Sequence, residues 1–182
     1  MKKWVKLLAH HKISIKMNTP NWSTFKKRIH IYKSKPDVYT AWATKSHIEH
    51  WLLERADYKT IEGKLRESHD FIRKGDEFTW KWNNWEKEEK GEILKANGTA
   101  ISFTFGDGGT VHVELDEKKG ATEVILTQEN VPTDENSRMQ LFVGFATGWT
   151  FWLTNLKAWL EHGLTLHATG LSQDETDDLV NC

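Results

Sequence analysis

Hydrophobic and polar positions follow three successive rhythms along the chain. From Phe25 to Tyr32 the alternation is imperfect but readable, with Phe25, Ile29 and Ile31 on one side and Lys26, Arg28 and His30 on the other, which predicts a strand. Pro36 then suits the first turn of a short helix carrying Val38, Ala41 and Trp42 inward. Ser46 and Glu49 have the spacing of a capping box, predicting a second short helix that buries Ile48, Trp51 and Leu52. From Tyr58 onward the period becomes two. Phe78, Trp80 and Trp82 alternate with Thr79 and Lys81, Ile101, Phe103 and Phe105 with Ser102 and Thr104, and Val111, Val113 and Leu115 with His112 and Glu114. Each such strand has one wet and one dry face. Gly63, Lys74-Gly75-Asp76, Asn97-Gly98, Asp107-Gly108-Gly109 and Lys119-Gly120 separate them as turn signals. Thr122 to Glu129 adds a last strand, which Pro132 ends, completing an antiparallel meander.

The third rhythm is helical. At about 100° per residue, Leu141, Phe145, Trp149, Trp152, Leu156, Trp159 and Leu160 share one arc. Ser137 with Gln140 offers a start signal and Gly163 a left-handed stop. A helix of about 25 residues would span nearly 40 Å, enough to cross a whole sheet. The predicted fold is therefore α+β: a strand, two short helices and a six-stranded meander, whose curved sheet wraps a long C-terminal helix and can enclose a pocket.

Composition sharpens this picture. The 182 residues, 38% of them hydrophobic, suit one domain with short appendages, and the ten Trp and eight Phe supply an ample core. The expected division is a basic N-terminal extension at 1–22, a folded domain at 23–165 and an acidic tail at 166–182, the last expected to be mobile unless a partner holds it. In the extension Trp4, Leu7 and Leu8 could form one amphipathic turn, and Met17 is a second candidate start. The apolar run from Trp4 to Ala9 is too short and too interrupted by Lys6 for a signal or membrane anchor. A formal net charge of −1 gives no field to recruit nucleic acid. Cys182, the only cysteine, cannot form an internal disulfide, so a reducing, cytoplasmic setting is expected.

Three segments carry a family resemblance. AWATKSHIEHW (Ala41 to Trp51) resembles the A-W-T, helix, W segment of the branch of the START-like, or SRPBCC, superfamily named after the activator of the ninety-kilodalton heat-shock-protein ATPase. GWTFWLTNLKAWLEHG (Gly148 to Gly163) resembles the ending of that branch, and Gly91-Glu92-Ile93-Leu94 its G-x-I-L strand. Lys45-Ser46 departs from the proline and acidic residues common there. The resemblance implies the helix-grip fold, with a cavity between the long helix and the concave sheet. It also implies relatives that bind lipids and other hydrophobic ligands, act as cyclases or bind a chaperone. Fold membership alone does not choose among these.

The cavity residues expected from the pattern are Trp80, Trp82, Phe103, Phe105, Phe145, Trp149 and Trp152, with Trp42 and Trp51 near one end. They can be a ligand pocket's wall or simply core, because tryptophan fills space as readily as it lines it. His47, His50 and Glu54 share a helix face with ligand-capable atoms, but a solvated face is the plainer reading and no metal or other cofactor is expected. His30, His112 and Glu114 fall on wet faces, so no acid or base is directed inward and no catalytic residue is assigned. The Glu86-Lys87-Glu88-Glu89-Lys90 run reads as charge protecting an edge strand. Gly144, Phe151 and Ala158 recur at heptad spacing away from the stripe, a candidate homodimer or partner contact. The expected function is non-enzymatic binding of a hydrophobic small molecule or lipid. A co-chaperone-like interaction module and a cyclase- or hydratase-like enzyme are the alternatives. Neither nucleic acid nor a membrane span is expected.

Overall fold

The computed structural model describes residues 21–176 and 178–181. Strand β1 (Phe25–Ile31) is followed by helices α1 (Lys35–Ala43) and α2 (Lys45–Trp51). The meander then runs through β2 (Arg55–Lys59), β3 (Glu77–Lys81), β4 (Glu88–Ala96), β5 (Ala100–Thr104), β6 (Thr110–Lys118) and β7 (Ala121–Glu129). A short turn α3 (Glu135–Ser137) and a π-helical turn (Arg138–Phe142) lead into α4 (Val143–His162). All seven strands belong to one antiparallel sheet ordered β1-β7-β6-β5-β4-β3-β2. The fold is α+β, a curved sheet wrapped around the long C-terminal helix.

Hairpin chemistry sets the register. Lys119 (φ 49°) and Gly120 (φ 79°) form the two-residue turn between the paired Lys118 and Ala121, the left-handed pair that matches strand twist. Gly109 (φ 82°) lies against the Glu129 carbonyl oxygen, where no side chain fits. Gly91 gives the Phe78 ring room to lie over β4. Because β4 pairs with both β3 and β5, the Glu86 to Lys90 run does not guard an edge; β1 and β2 are the edges.

Both expected capping boxes are replaced by other bonds. At α2 the N-cap is Thr44, whose hydroxyl donates to the Thr40 carbonyl at 3.0 Å. The Ser46 N–H is taken by the Ser68 carbonyl at 2.9 Å, and Glu49 reaches instead to the Ala56 N–H at 2.8 Å, fastening α2 to β2. At the last helix Asp134 caps three residues before Ser137 and accepts its N–H at 3.1 Å, so the helix starts a turn earlier than its pattern suggested. The stop is as expected: Gly163 is left-handed and its N–H donates to the Trp159 carbonyl at 2.8 Å.

The first residues of the tail bond to the domain. Asn155, fully buried on α4, accepts the Leu166 N–H at 2.6 Å and donates to the Trp51 carbonyl, while its amide meets His167 Nδ1 at 3.1 Å. Asn84 bonds the Ala168 carbonyl at 2.8 Å and the Leu171 N–H at 3.0 Å. At the other end Trp22, assigned to the extension, packs edge-on against Phe142 at 5.2 Å, and Val131 N–H reaches the Ser23 carbonyl at 3.1 Å. Trp4, Leu7, Leu8 and Met17 lie outside the described residues. Among the described residues no helix is long and apolar enough to cross a membrane.

Candidate functional site

The aromatic sheet face divides into two environments. Toward the C-terminal half of α4 the rings are packed solid: Trp42 meets Trp51 edge-on at 4.7 Å and Trp80 meets Phe103 at 5.0 Å. Trp51 Nε1 donates to the Ala41 carbonyl at 2.9 Å and Trp80 Nε1 to the Tyr58 hydroxyl at 3.1 Å. Trp42, Trp51, Trp80 and Phe103 are each no more than 1% exposed.

Toward the N-terminal half of α4 the packing opens into a cavity of about 520 Å³, within the usual range of ligand pockets. Gln140, Leu141, Gly144, Phe145, Gly148, Trp149 and Trp152 form the helical wall, and Trp82, Trp85, Phe105 and Gly108 face them. Five of the nine expected cavity residues, Trp82, Phe105, Phe145, Trp149 and Trp152, therefore line it, and the other four fill the adjoining core.

Local bonds hold the wall. Trp149 Nε1 donates to Gln128 Oε1 at 2.8 Å, and Gln128 Nε2 donates to the Gly108 carbonyl at 2.8 Å, fixing the indole and the β5–β6 turn together. Phe105 meets Phe145 at 5.5 Å and Trp149 at 6.0 Å, and Trp82 meets Trp152 at 5.8 Å. Gly144 and Gly148 explain why space remains. Each interior helical glycine costs roughly 0.5–1 kcal/mol relative to alanine, yet a Cβ at either position would meet nothing within 4 Å. Backbone packing does not require them; a side chain there would occupy the pocket. Gly144 thus belongs to the pocket wall, while Phe151 stands beside Trp152 and borders an outer groove with Phe142, Val143 and Val180.

The rim carries Lys87, Glu88, Glu89 and Asp107. Glu88 is bonded to Arg55. Glu89 pairs across the ladder with Trp80 and lies in phase with Gly91 and Ile93, so it faces the pocket. Gly106 leaves room for it, since a side chain there would strike the Glu89 carboxylate. Glu89 has no hydrogen-bonding or ionic partner among the described residues. Burial pushes its carboxyl above the usual range and Asp107 adds to that, while Lys87 opposes it. The expectation that no acid is directed inward is corrected here. Ile93 is the readable anchor: counting back in twos through Gly91 places Glu89 on the dry face.

The remaining sequence candidates lie elsewhere. His50 stacks on Trp159 at 5.3 Å, His47 Nδ1 sits 2.8 Å from the Thr44 hydroxyl, and Glu54 bonds Lys81. His112 reaches Ser102 and His30 reaches Glu123, both outside the pocket.

A sheet that grips its C-terminal helix around an aromatic pocket defines a START-like, helix-grip domain. The chain belongs to the family described as Activator of Hsp90 ATPase homolog 1-like protein, which matches residues 34–161. No curated protein sequence matches it. A Staphylococcus saprophyticus structure superposes with a TM-score of 0.65 at 20% identity, covering 80% of this chain and 97% of that one. The Aha1 dimer from Colwellia psychrerythraea gives 0.60 at 17% identity, covering 77% and 97%. An HSP90 activator from Plasmodium falciparum gives 0.54 at 19%, covering 76% and 96%. These similarities establish the fold.

Proposed function

We propose that the protein binds a hydrophobic small molecule or lipid in the pocket between α4 and the β3–β4 and β5–β6 connections. One observation carries this reading: the aromatic wall encloses about 520 Å³ that two helical glycines keep clear. The four core residues Trp42, Trp51, Trp80 and Phe103 serve as a rigid floor, and Trp82, Phe105, Phe145, Trp149 and Trp152 serve as contact surface. The test is native mass spectrometry after gentle purification, with tryptophan quenching by a lipid and metabolite panel. Bound mass, or quenching that Gly148→Leu abolishes, is the expected result. A Gly148→Leu chain that binds as well as the parent overturns the assignment.

A second reading is a co-chaperone-like interaction module, supported by the family description and by the Plasmodium falciparum relative's designation as an HSP90 activator. The Colwellia psychrerythraea relative is a dimer, which supports a homodimer here. Light scattering tests the dimer. Stimulation of the host chaperone's ATPase rate tests the module, and no binding at micromolar concentration removes it. Acid–base catalysis ranks behind both, because no group among the described residues is bonded to Glu89 to orient it for proton transfer.

A further inference from the structure

We infer that the pocket's ligand carries a positively charged amine or quaternary ammonium group on its hydrophobic body, recognised by the ring faces of the wall together with Glu89 and Asp107. This rests on the pocket reading above and adds the charge of the occupant. Two observations converge on it. The wall includes the rings of Trp82, Phe105, Trp149 and Trp152, with centroids 5.8 Å apart for Trp82 and Trp152, 6.0 Å for Phe105 and Trp149 and 6.3 Å for Trp82 and Phe105, and aromatic rings carry a negative quadrupole face that attracts cations. Two rim carboxylates, Glu89 and Asp107, make no hydrogen bond or ion pair among the described residues, whereas Glu88 is already paired with Arg55. Lys87 is the one cation among the lining residues and makes no ion pair with either.

The geometry at Glu89 argues against accident. Its strand phase directs it inward beside Trp80, and the glycine at 106 makes space for its head. A carboxylate half-buried beside aromatic rings is poorly solvated, and Lys87 offsets only part of that cost, since the Glu89 carboxyl stays raised. A neutral or anionic ligand would leave that cost in place or worsen it. An ammonium group would meet the carboxylate and the ring faces at once, while its apolar body replaces water along Phe145 and Leu141.

The experiment uses the full chain and three probes with one tail: octyltrimethylammonium, 1-octanol and octanoate, each below its micellar concentration and titrated calorimetrically at low salt. The expected order is ammonium about tenfold tighter than alcohol, with octanoate weakest. Glu89→Gln and Asp107→Asn should each weaken ammonium binding threefold or more and leave octanol within twofold, their folds checked by circular dichroism. If one variant fails to fold, the other carries the test. Equal affinity for ammonium and alcohol, or preference for octanoate, overturns the inference and leaves the pocket reading standing. Absence of binding by all three, with no ligand in the native mass spectrum, removes both.

Discussion

The two ends of the α4–sheet interface use the same residue type for opposite purposes. At one end Trp51 and Trp42 pack edge-on, and Trp51 and Leu156 have no exposure; at the other Trp82, Trp149 and Trp152 stand around open space. Ring count does not distinguish the ends. The helix does: its closed half presents Leu153, Asn155 and Leu156, whereas its open half presents Gly144 and Gly148 after a π-helical turn that carries Gln140 and Leu141 into the wall. Whether a tryptophan is core or pocket is therefore decided by the small residues opposite it.

The sharpest way to break this contrast is truncation at each end. Trp51→Ala should cost about 3–5 kcal/mol and lower the thermal midpoint by roughly 10 °C, since no neighbouring space can absorb the void. Trp82→Ala, at a residue already partly solvated, should cost under about 1.5 kcal/mol while weakening ligand binding. Urea unfolding measures both. Similar losses at the two sites would mean that the ends do not differ.

Asn155 gives the next effect. It joins α2 and the tail to α4 by bonding the Trp51 carbonyl, the Leu166 N–H and His167. Asn155→Leu strands buried backbone groups at about 1–3 kcal/mol. The same change should expose 166–181 to limited proteolysis before the domain itself unfolds. Unchanged protection of that segment would show that Asn155 does not hold it.

Legibility in the sequence follows the same division. Strand phases, the two short helices and the apolar stripe of α4 are readable because apolar spacing reports which side faces the core, and the burial patterns along β3 and β6 keep that phase, whereas Ala100 to Phe103 of β5 and Ala121 to Val124 of β7 are buried at both parities. Capping was misread at Ser46 and Ser137, because their N–H groups were claimed by Ser68 and Asp134, one distant and one nearer in the chain. Which tryptophans line the pocket was not readable, since Trp80 and Trp82 share a strand face and differ only in depth. The tail's attachment was hidden for a related reason: Asn84 and Asn155 carry it, and polar residues give no periodic signal. Glu89 could have been found by parity, had its strand been recognised as internal.

Helix glycines offer a smaller test with opposite outcomes for stability and binding. Gly148→Ala should stabilise the fold by about 0.5–1 kcal/mol, raising the midpoint by a few degrees at most, because a Cβ there meets nothing. Gly148→Leu should keep the fold yet lower ligand affinity at least tenfold by filling the cavity. Destabilisation by the alanine would mean that the glycine serves packing after all.

The smallest effects contrast two carboxylates. Glu123, on the sheet face away from the pocket, is bonded by Arg28, His30 and Lys118, and the Lys118 and Arg28 bonds hold its carboxyl down to about 2. A depressed folded value contributes stability above the ordinary value of 4.5, and that contribution is lost as pH falls through this range toward 2. Glu89 is the reverse: burial raises its carboxyl, so ionisation costs folding stability above that raised value and the cost vanishes on acidification. Glu123→Gln should therefore lower the midpoint at pH 7, and the deficit should shrink below pH 4.5. Glu89→Gln should raise the midpoint slightly at pH 7 in the absence of ligand, and this gain should disappear in acid. Thermal scans of both variants from pH 8 to pH 3 carry the comparison. If Glu89→Gln instead lowers the neutral-pH midpoint, the carboxylate is structurally satisfied and the case for a cationic occupant loses its strongest support. If it raises the midpoint but weakens octyltrimethylammonium binding, Glu89 gives up folding stability in exchange for recognition, as expected of a group kept for a ligand.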